Sequence, residues 1–103
     1  HQEQIKMRTT ADYLRLLQSY KTAVADKYGI RRIGIFGSVA RGEQTVNSDI
    51  DIVVDLVKPR LFNLVHIKED LQTLFGCSVD IVRERDNMDP LLKSCIQRDG
   101  IYA

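Results

Sequence analysis

The segment DIDIVVDLV, residues 49–57, constrains the fold of this chain more than any other stretch. Its β-branched residues are typical of a strand, although it begins with Asp49 and Asp51. Because successive side chains on a strand point to opposite faces, the two carboxylates lie on one face, about 7 Å apart along the chain. The apolar side chains that alternate with them point into the core. The segment therefore predicts a strand with one buried face and two acids at its beginning, where that face meets a cleft.

Helical and strand patterns alternate along the rest of the chain. Some segments carry apolar residues at helical spacing, whereas others are short apolar runs that end at turn residues. The predicted elements are, in chain order, a helix over 10–28 capped by Thr10, a strand over 30–37, one or two helical turns within 38–44, a strand over 49–57, a helix over 61–75, a strand over 78–82 and a short helix capped by Asp89. This order predicts an α/β fold in which helices pack around a small sheet.

Length and charge exclude several classes of protein. The chain has 103 residues, which is one domain by length, and its 15 basic and 14 acidic residues give a net charge of +1. This balance offers no electrostatic footprint for direct nucleic-acid binding, and no apolar run approaches the roughly 18 residues of a membrane span. We expect residues 10–103 to form a single domain after a disordered or tag-derived N-terminus at residues 1–9.

The two cysteines and the apolar residues near the end of the chain do not indicate a specific function. Cys77 and Cys95 match no zinc-binding or redox spacing. Reduced thiols are the ordinary state in the cytosol, so the two cysteines favour a cytoplasmic protein, and we expect no membrane partner. Leu91, Leu92 and Ile96 fit either the core or an oligomer interface, and the sequence leaves the oligomeric state open.

The two aspartates at the start of the 49–57 strand raise a question of chemistry. Neighbouring carboxylates repel each other and raise each other's pKa unless a cation lies between them. Hard oxygen ligands in this arrangement suit Mg²⁺, which takes few protein ligands and leaves room for phosphate oxygens. A solvated strand end with two ordinary surface acids also explains Asp49 and Asp51.

Gly37 and Ser38 stand where the first predicted strand ends and helical turns begin. Glycine lets the backbone approach a ligand closely, and the amides at a helix start suit phosphate. The Ser38 hydroxyl adds one more donor. A glycine turn followed by a serine helix cap explains the same two residues, and without a Gly-Lys-Ser/Thr sequence the segment is not a P-loop.

A two-metal site requires a further carboxylate, because its two ions lie about 4 Å apart and share oxygen ligands. The downstream candidates are Glu69, Asp70, Asp80, Glu84, Asp86, Asp89 and Asp99. Asp80 alone is embedded in a predicted strand, where aspartate is disfavoured. It is therefore the preferred candidate, although the residues by themselves leave the choice open.

Together these residues resemble the signature of the polymerase-β-type nucleotidyltransferase superfamily, which is Gly-Ser, a spacer, Asp-x-Asp at a strand start and a third acid on a later strand. Gly37-Ser38, Asp49-Ile50-Asp51 and Asp80 occupy these positions. The fuller string GSVARGEQTVNSDIDIVVD resembles the minimal nucleotidyltransferase (MNT) subgroup, stand-alone domains that often act as antitoxins of a HEPN-domain ribonuclease. The resemblance covers roughly residues 10–102.

The resemblance implies a nucleotidyltransferase core, an α/β (α+β) fold with a small mixed sheet packed by helices. It implies two Mg²⁺ ions and three aspartates that are both catalytic and metal-binding, Asp49, Asp51 and Asp80. It also implies ATP as the donor and a nucleotide site made by Gly37, Ser38, Arg41 and Ser48. A solvent-facing arginine on a short helix is the other interpretation of Arg41. The implied reaction transfers a nucleoside monophosphate, AMP above all, to a tyrosine hydroxyl of the HEPN toxin and silences it.

Two other functions fit the same sequence. A binding module would neutralise the toxin by covering it, with a vestigial or regulatory nucleotide site. The catalytic subunit of a two-part antibiotic nucleotidyltransferase would instead receive its acceptor domain from a separate chain. Substitution of both aspartates of the Asp-x-Asp pair separates the first alternative from the enzyme, because only the enzyme loses neutralisation while its complex with the toxin stays intact.

Overall fold

Eight helices and strands follow one another along residues 9–43, 49–58 and 60–103, the part of the chain that the computed structural model describes. They are α1 (Thr10–Tyr28), β1 (Ile30–Phe36), α2 (Gly37–Arg41), β2 (Ile50–Leu56), α3 (Leu61–Phe75), β3 (Val79–Arg83), α4 (Pro90–Asp99) and β4 (Ile101–Tyr102). The predicted order is confirmed, and the predicted helix over 61–75 matches α3 at both ends. The prediction lacks β4, because two residues are too few for the strand period to be recognised.

The start of α1 is one residue earlier than its predicted cap. Thr9, not Thr10, is the N-cap residue: its hydroxyl accepts a hydrogen bond from the Asp12 amide at 3.1 Å, and the Asp12 carboxylate accepts one from the Thr9 amide at 2.9 Å. This reciprocal pair is a capping box. The Thr10 hydroxyl instead donates to the Val39 carbonyl oxygen at 2.6 Å, which ties α1 to α2.

The four strands form one sheet in the order β3-β2-β1-β4. β2 runs parallel to β3 and antiparallel to β1, and β4 runs antiparallel to β1. The sheet is therefore mixed, as the resemblance implies. The two central strands, β1 and β2, have a hydrogen-bonded neighbour at each edge and contain most of the buried positions of the sheet.

One face of the sheet carries the larger part of the core. Its isoleucines and valines, including Ile33 and Ile52, pack with Leu17 of α1 and with Ile67 and Leu71 of α3. All five of these side chains are fully buried. The burial of Ile67 and Leu71, one helical turn apart, holds α3 against this face.

The other face is covered only in part. Phe36, Val53 and Met88 pack with Ile96 of α4 in a smaller apolar cluster. Val53 is fully buried, whereas Asp51, which precedes it on the same face of β2, is half-buried. The cover provided by α4 therefore ends between these two residues, and the beginning of β2 faces an opening.

The apolar residues near the end of the chain differ in exposure. Ile96 belongs to the core at 6% exposure, whereas Leu91 is 78% exposed. Among the described residues, no helix has the combination of length and apolar character that crossing a membrane requires.

Candidate active site

Asp51 is a half-buried residue at the beginning of β2. It is the second residue of β2 and pairs with Phe36 of β1 on one side and with Asp80 of β3 on the other. Directly paired residues on neighbouring strands project from the same face of the sheet. The parallel register of β2 and β3 therefore brings Asp51 and Asp80 side by side, as the predicted acidic set requires.

Electrostatic repulsion links all three predicted aspartates. Burial raises the pKa of Asp51, and the negative charges of Asp80 and Asp49 raise it further, while the Arg41 guanidinium lowers it. Asp49 is exposed and lies one residue before β2, and Asp80 is exposed on β3. The half-buried carboxylate therefore feels the field of two acids that solvent reaches.

Gly37 lies directly against Asp51. It opens α2 with a φ of +72°, in the left-handed region that favours glycine. A Cβ atom at this position would overlap the Oδ2 atom of Asp51. Glycine is needed here for two independent reasons, its backbone conformation and the space that the carboxylate occupies.

The first turn of α2 has no side-chain cap. Its N-cap residue is Phe36, which has no side-chain hydrogen bond to the helix. Ser38 is half-buried in this first turn. Since the first amides of a helix have no partner within the helix, this arrangement suits the phosphate contact predicted for Gly37 and Ser38.

Arg41 is held at the edge of the site by two carboxylates. Its Nε atom pairs with Glu43 Oε1 at 2.6 Å, and its Nη1 atom pairs with Asp99 Oδ2 at 3.0 Å. The Asp99 side chain is only 9% exposed and also pairs with Arg98 at 3.1 Å. Its hydrogen bonds with the two guanidinium groups lower the pKa of the Asp99 carboxyl. Arg41 is thus anchored between α2 and α4 rather than freely exposed to solvent.

The role of Asp99 could not be read from the sequence. It is one of seven downstream acids, and no motif links it to Arg41, because α2 and α4 meet only in the folded chain. The one local signal is its place at the end of a helix next to Arg98, which does not identify a partner.

Three other downstream acids have structural partners. Asp70 accepts hydrogen bonds from the hydroxyl groups of Tyr20 at 2.8 Å and Tyr28 at 3.4 Å. Glu84 accepts one from Tyr102 at 2.8 Å. Asp89 caps α4 by accepting from the Leu91 amide at 2.9 Å. These contacts favour Asp80 over the three as the third acid of the site.

A carboxylate set of this kind fits magnesium by its chemistry. Its donors are hard oxygen atoms, burial and two neighbouring acids raise the pKa of Asp51, and Gly37 has no side chain that would displace the Asp51 carboxylate. Within residues 9–43, 49–58 and 60–103, no three His, Cys, Asp or Glu side chains already converge as a metal-binding group. Ser48, the remaining predicted nucleotide ligand, lies outside the described residues.

Comparison with known sequences finds relatives that cover nearly the whole chain. Residues 17–103 match the model of a family described as Nucleotidyltransferase domain. A protein of Methanocaldococcus jannaschii, with protein adenylyltransferase as its provisional name, is 35% identical over 100 residues, which cover 94% of this chain and 100% of the relative. Protein adenylyltransferase MntA of Thermococcus cleftensis is 33% identical over 98 residues, which cover 94% of this chain and 98% of the relative.

Solved structures have the same architecture. One that is described provisionally as a minimal nucleotidyltransferase gives a TM-score of 0.74 at 33% identity, covering 94% of this chain and 98% of that one. A toxin–antitoxin complex with AMP-PNP gives 0.69 at 24% identity, covering 82% and 69%. A complex of the tri-AMPylated Shewanella oneidensis HEPN toxin with its MNT antitoxin gives 0.63 at 18% identity, covering 87% and 70%. At these identities the two complexes establish a common fold and no more.

Proposed function

The chain belongs to the nucleotidyltransferase domain family, as its motifs predict, and from this premise we propose that it is a protein adenylyltransferase that transfers AMP from ATP to a partner protein. The observation that carries the proposal is the position of Asp51, which pairs with Asp80 across the parallel strands and contacts Gly37 at the start of α2. An acidic pair and the turn that we propose to bind phosphate are thereby adjacent. We further propose that residues 10–103 act as one domain in the cytoplasm.

Asp49, Asp51 and Asp80 would hold two Mg²⁺ ions in this function. The bound ions would neutralise charge on the triphosphate and orient its oxygen atoms for in-line displacement. The raised pKa of Asp51 supports this role, because a cation between the carboxylates removes the repulsion that burial and its two acidic neighbours create.

The nucleotide would be bound by Gly37, Ser38, Arg41 and Ser48. Because Gly37 has no side chain, its backbone can be approached closely. The Asp51 carboxylate lies against it in this structure, and a phosphate of the nucleotide would bind beside that carboxylate. The Ser38 hydroxyl and the amides of the first turn of α2 would donate to its oxygen atoms. Arg41 would add a charge-assisted hydrogen bond to phosphate from the place where Asp99 holds it.

The reaction is a displacement at the α-phosphorus of ATP. The oxygen of the acceptor hydroxyl bonds to that phosphorus, the bond to the pyrophosphate breaks, and pyrophosphate leaves with the electron pair. The hydroxyl proton passes to a carboxylate oxygen of Asp80. Since the protein forms no covalent intermediate in this scheme, its residues act by positioning the two reactants.

We propose a tyrosine of a HEPN-family toxin as the acceptor, so that the chain acts as an antitoxin. Support comes from a protein of the same fold, the Shewanella oneidensis MNT antitoxin, which is described in complex with a tri-AMPylated HEPN toxin. A further complex of this fold contains AMP-PNP. Both are assemblies in which a nucleotidyltransferase fold and a toxin occur together.

The test is label transfer to a purified HEPN-family protein whose gene lies next to the gene for this chain. With α-labelled ATP and Mg²⁺, we expect the label on a toxin tyrosine, identified by mass spectrometry, and loss of toxin activity. Asp51→Asn/Asp80→Asn should abolish transfer while the complex still forms. Glu69→Gln, which removes an exposed acid on α3, is the matched control and should transfer normally.

Thermal unfolding with ATP, GTP, CTP or UTP tests the donor separately. A nucleotide at ten times its Kd stabilises the folded state by about 1.4 kcal/mol, which for this size is a Tm rise of roughly 6–11 °C. We expect the rise in Tm only with ATP, and only when Mg²⁺ is present.

The label-transfer experiment also tests the alternative of a binding module. If the Asp51→Asn/Asp80→Asn variant neutralised the toxin without labelling it, the chain would mask its partner instead of modifying it.

A further inference from the structure

A second cleft lies at the end of the sheet opposite Asp51. It has a volume of about 770 Å³ and is bounded by the start of β1, the ends of β2 and β3, and α4. The four-residue step along β2 from Asp51 to Asp55, which lines the cleft, corresponds to about 13 Å at the strand rise. None of the residues that line the cleft belongs to the proposed ATP site.

A β-bulge directs two consecutive arginines towards this cleft. Ile30 pairs with Leu56 and Arg32 pairs with Asp55, so Arg31 is an extra residue in β1 with no partner in the register. In a regular strand, consecutive side chains point to opposite faces, but a bulge redirects them. Both arginines accordingly reach the same carboxylate, Asp55, at 3.5 Å and 3.9 Å.

The lining of the cleft has an excess of positive charge. Of the described residues that line it, five are cationic, namely Arg31, Arg32, Arg83, Arg85 and Lys93, and three are acidic, namely Asp55, Glu84 and Asp86. The excess is two positive charges, although the whole chain has a net charge of only +1. The cleft therefore has a larger net positive charge than the whole chain. A concave surface with charge of one sign concentrates the electric field.

Only some of the cations in the cleft form ion pairs with its acids. Asp55 pairs with the two bulge arginines, and Glu84 accepts hydrogen bonds from Arg32 at 2.6 Å and from the Tyr102 hydroxyl at 2.8 Å. Within the described ranges, Arg83, Arg85 and Lys93 form no ion pair with a carboxylate. Three cations therefore line the cleft without an ion-pair partner.

The floor of the cleft is apolar. Met88 and Ile96 line it at 5% and 6% exposure, and the half-buried ring of Tyr102 lies beside them, with the Arg32 guanidinium 4.7 Å from the ring centroid. A floor of this kind fits the organic part of a ligand, whereas the cationic rim fits its charged part.

We propose that this cleft binds a small organic phosphate, with the phosphate between Arg31, Arg83 and Lys93 and the organic group on Met88, Ile96 and Tyr102. Arginine and lysine side chains are the usual phosphate partners in proteins. The cleft volume lies within the range of small-molecule sites, about 300–1,000 Å³. The small net charge of the chain favours a compact ligand over a nucleic-acid strand, which needs a longer basic track.

The test is calorimetric titration of the full chain with AMP, adenosine and a short oligouridylate in a low-salt buffer with EDTA. Chelation removes the divalent cations that the proposed ATP site requires. We expect AMP to bind, and adenosine to bind at least about tenfold more weakly because it lacks the phosphate. Arg31→Gln/Lys93→Gln should weaken AMP binding by a similar factor, since each substitution removes a charge-assisted contact.

Three variants make the outcome decisive. Arg15→Gln, a cation on the exposed surface of α1, should bind AMP like the wild type. Asp49→Asn/Asp51→Asn should also leave AMP binding unchanged, because the cleft does not include these acids. Lys93→Gln alone repeats the test on a surface residue of α4 if the double variant unfolds.

Four results would overturn the proposal. They are no binding of AMP, equal binding of AMP and adenosine, tighter binding of AMP in the Asp49/Asp51 variant with no loss in the Arg31/Lys93 variant, and tighter binding of oligouridylate than of AMP. The third result would place the nucleotide in the ATP site, and the fourth would make the cleft an RNA-binding surface.

Discussion

At the scale of single residues, the site depends on a glycine and an aspartate that share one space. Gly37 has a left-handed backbone conformation, and the Oδ2 atom of Asp51 lies where its Cβ would be. Gly76 has nearly the same φ, +71°, but nothing lies within 4 Å of a Cβ placed there. The two glycines therefore form a matched pair that separates the cost of backbone conformation from the cost of displacing the carboxylate.

We predict that Gly37→Ala removes Mg²⁺-dependent nucleotide binding and that Gly76→Ala does not. Both variants should lose about 1–2 kcal/mol of unfolding free energy, because alanine disfavours the left-handed conformation. Only Gly37→Ala must also move the Asp51 side chain. Denaturant unfolding measures the first effect, and ATP titration with Mg²⁺ measures the second. Wild-type affinity for ATP in Gly37→Ala would show that the position of this carboxylate does not matter for binding.

At the scale of elements, the relative placement of strands and helices assembles the site. The β2–β3 register pairs Asp51 with Asp80, and a slip of one residue would turn Asp80 to the opposite face. The contact of α2 with α4 is fixed by the Arg41–Asp99 ion pair, in which the Asp99 side chain is largely buried and the Arg41 side chain is 41% exposed. The end of α4 thereby positions a cation beside the start of β2.

We predict that Asp99→Asn raises the KM for ATP several-fold with a smaller change in kcat, because it releases the Arg41 guanidinium from its position without removing a carboxylate from the site. Glu43→Gln is the control: it removes the other, 65% exposed partner of Arg41 and should change KM little. Asp99→Glu should restore most of the affinity. Equal KM values in Asp99→Asn and the wild type would assign Asp99 to helix packing alone.

At the scale of the whole molecule, the core supplies stability, and we expect ionised Asp51 in the proposed site to reduce it. Leu17, Ile52 and Leu71 are among the fully buried side chains that hold α1 and α3 on the sheet. Asp51 lies on the opposite face, where burial and the charges of Asp80 and Asp49 raise its pKa above the value in the unfolded chain. The folded protein therefore holds the Asp51 proton more tightly than the unfolded chain does.

The sign of the pH dependence follows from this difference. Asp51 costs no stability well below about pH 4, where its carboxyl is protonated in the folded and in the unfolded state. The cost grows as the pH rises from the unfolded-state pKa to the higher folded-state pKa, and it is complete above the folded-state pKa. We predict that Asp51→Asn raises the unfolding free energy of the metal-free protein at pH 7 by roughly 0.5–2 kcal/mol, as substitutions of strained functional residues commonly do.

Urea unfolding at pH 7 and at pH 4, with EDTA or with Mg²⁺, measures this effect. The advantage of Asp51→Asn should be clearly smaller at pH 4 than at pH 7, and Mg²⁺ should stabilise the wild type more than the variant, because a ligand stabilises only the state that binds it. Glu69→Gln should behave like the wild type throughout. A wild type that is more stable than Asp51→Asn at pH 7 in EDTA would contradict repulsion at the site.

The elements and part of the site follow from local patterns. The alternation of DIDIVVDLV is enough to predict a strand with Asp49 and Asp51 on one face, and the apolar spacing of residues 61–75 is enough to predict α3. Gly37 is likewise recognisable, since glycine between a strand and a helix indicates an unusual backbone or a close contact. Each of these signals is a relation between neighbours in the chain, which backbone geometry makes periodic.

Other features exist only in the folded chain. The pairing of Asp51 with Asp80 depends on strand order and register, the Arg41–Asp99 contact on the packing of α2 against α4, and the convergence of Arg31 and Arg32 on a bulge. By itself the sequence determined most of the helices and strands and which residues are candidates for the chemistry, because these properties arise from short-range sterics, hydrophobic periodicity and residue type. Only the tertiary structure decided which of those residues meet, because contacts between distant segments depend on how the whole core packs.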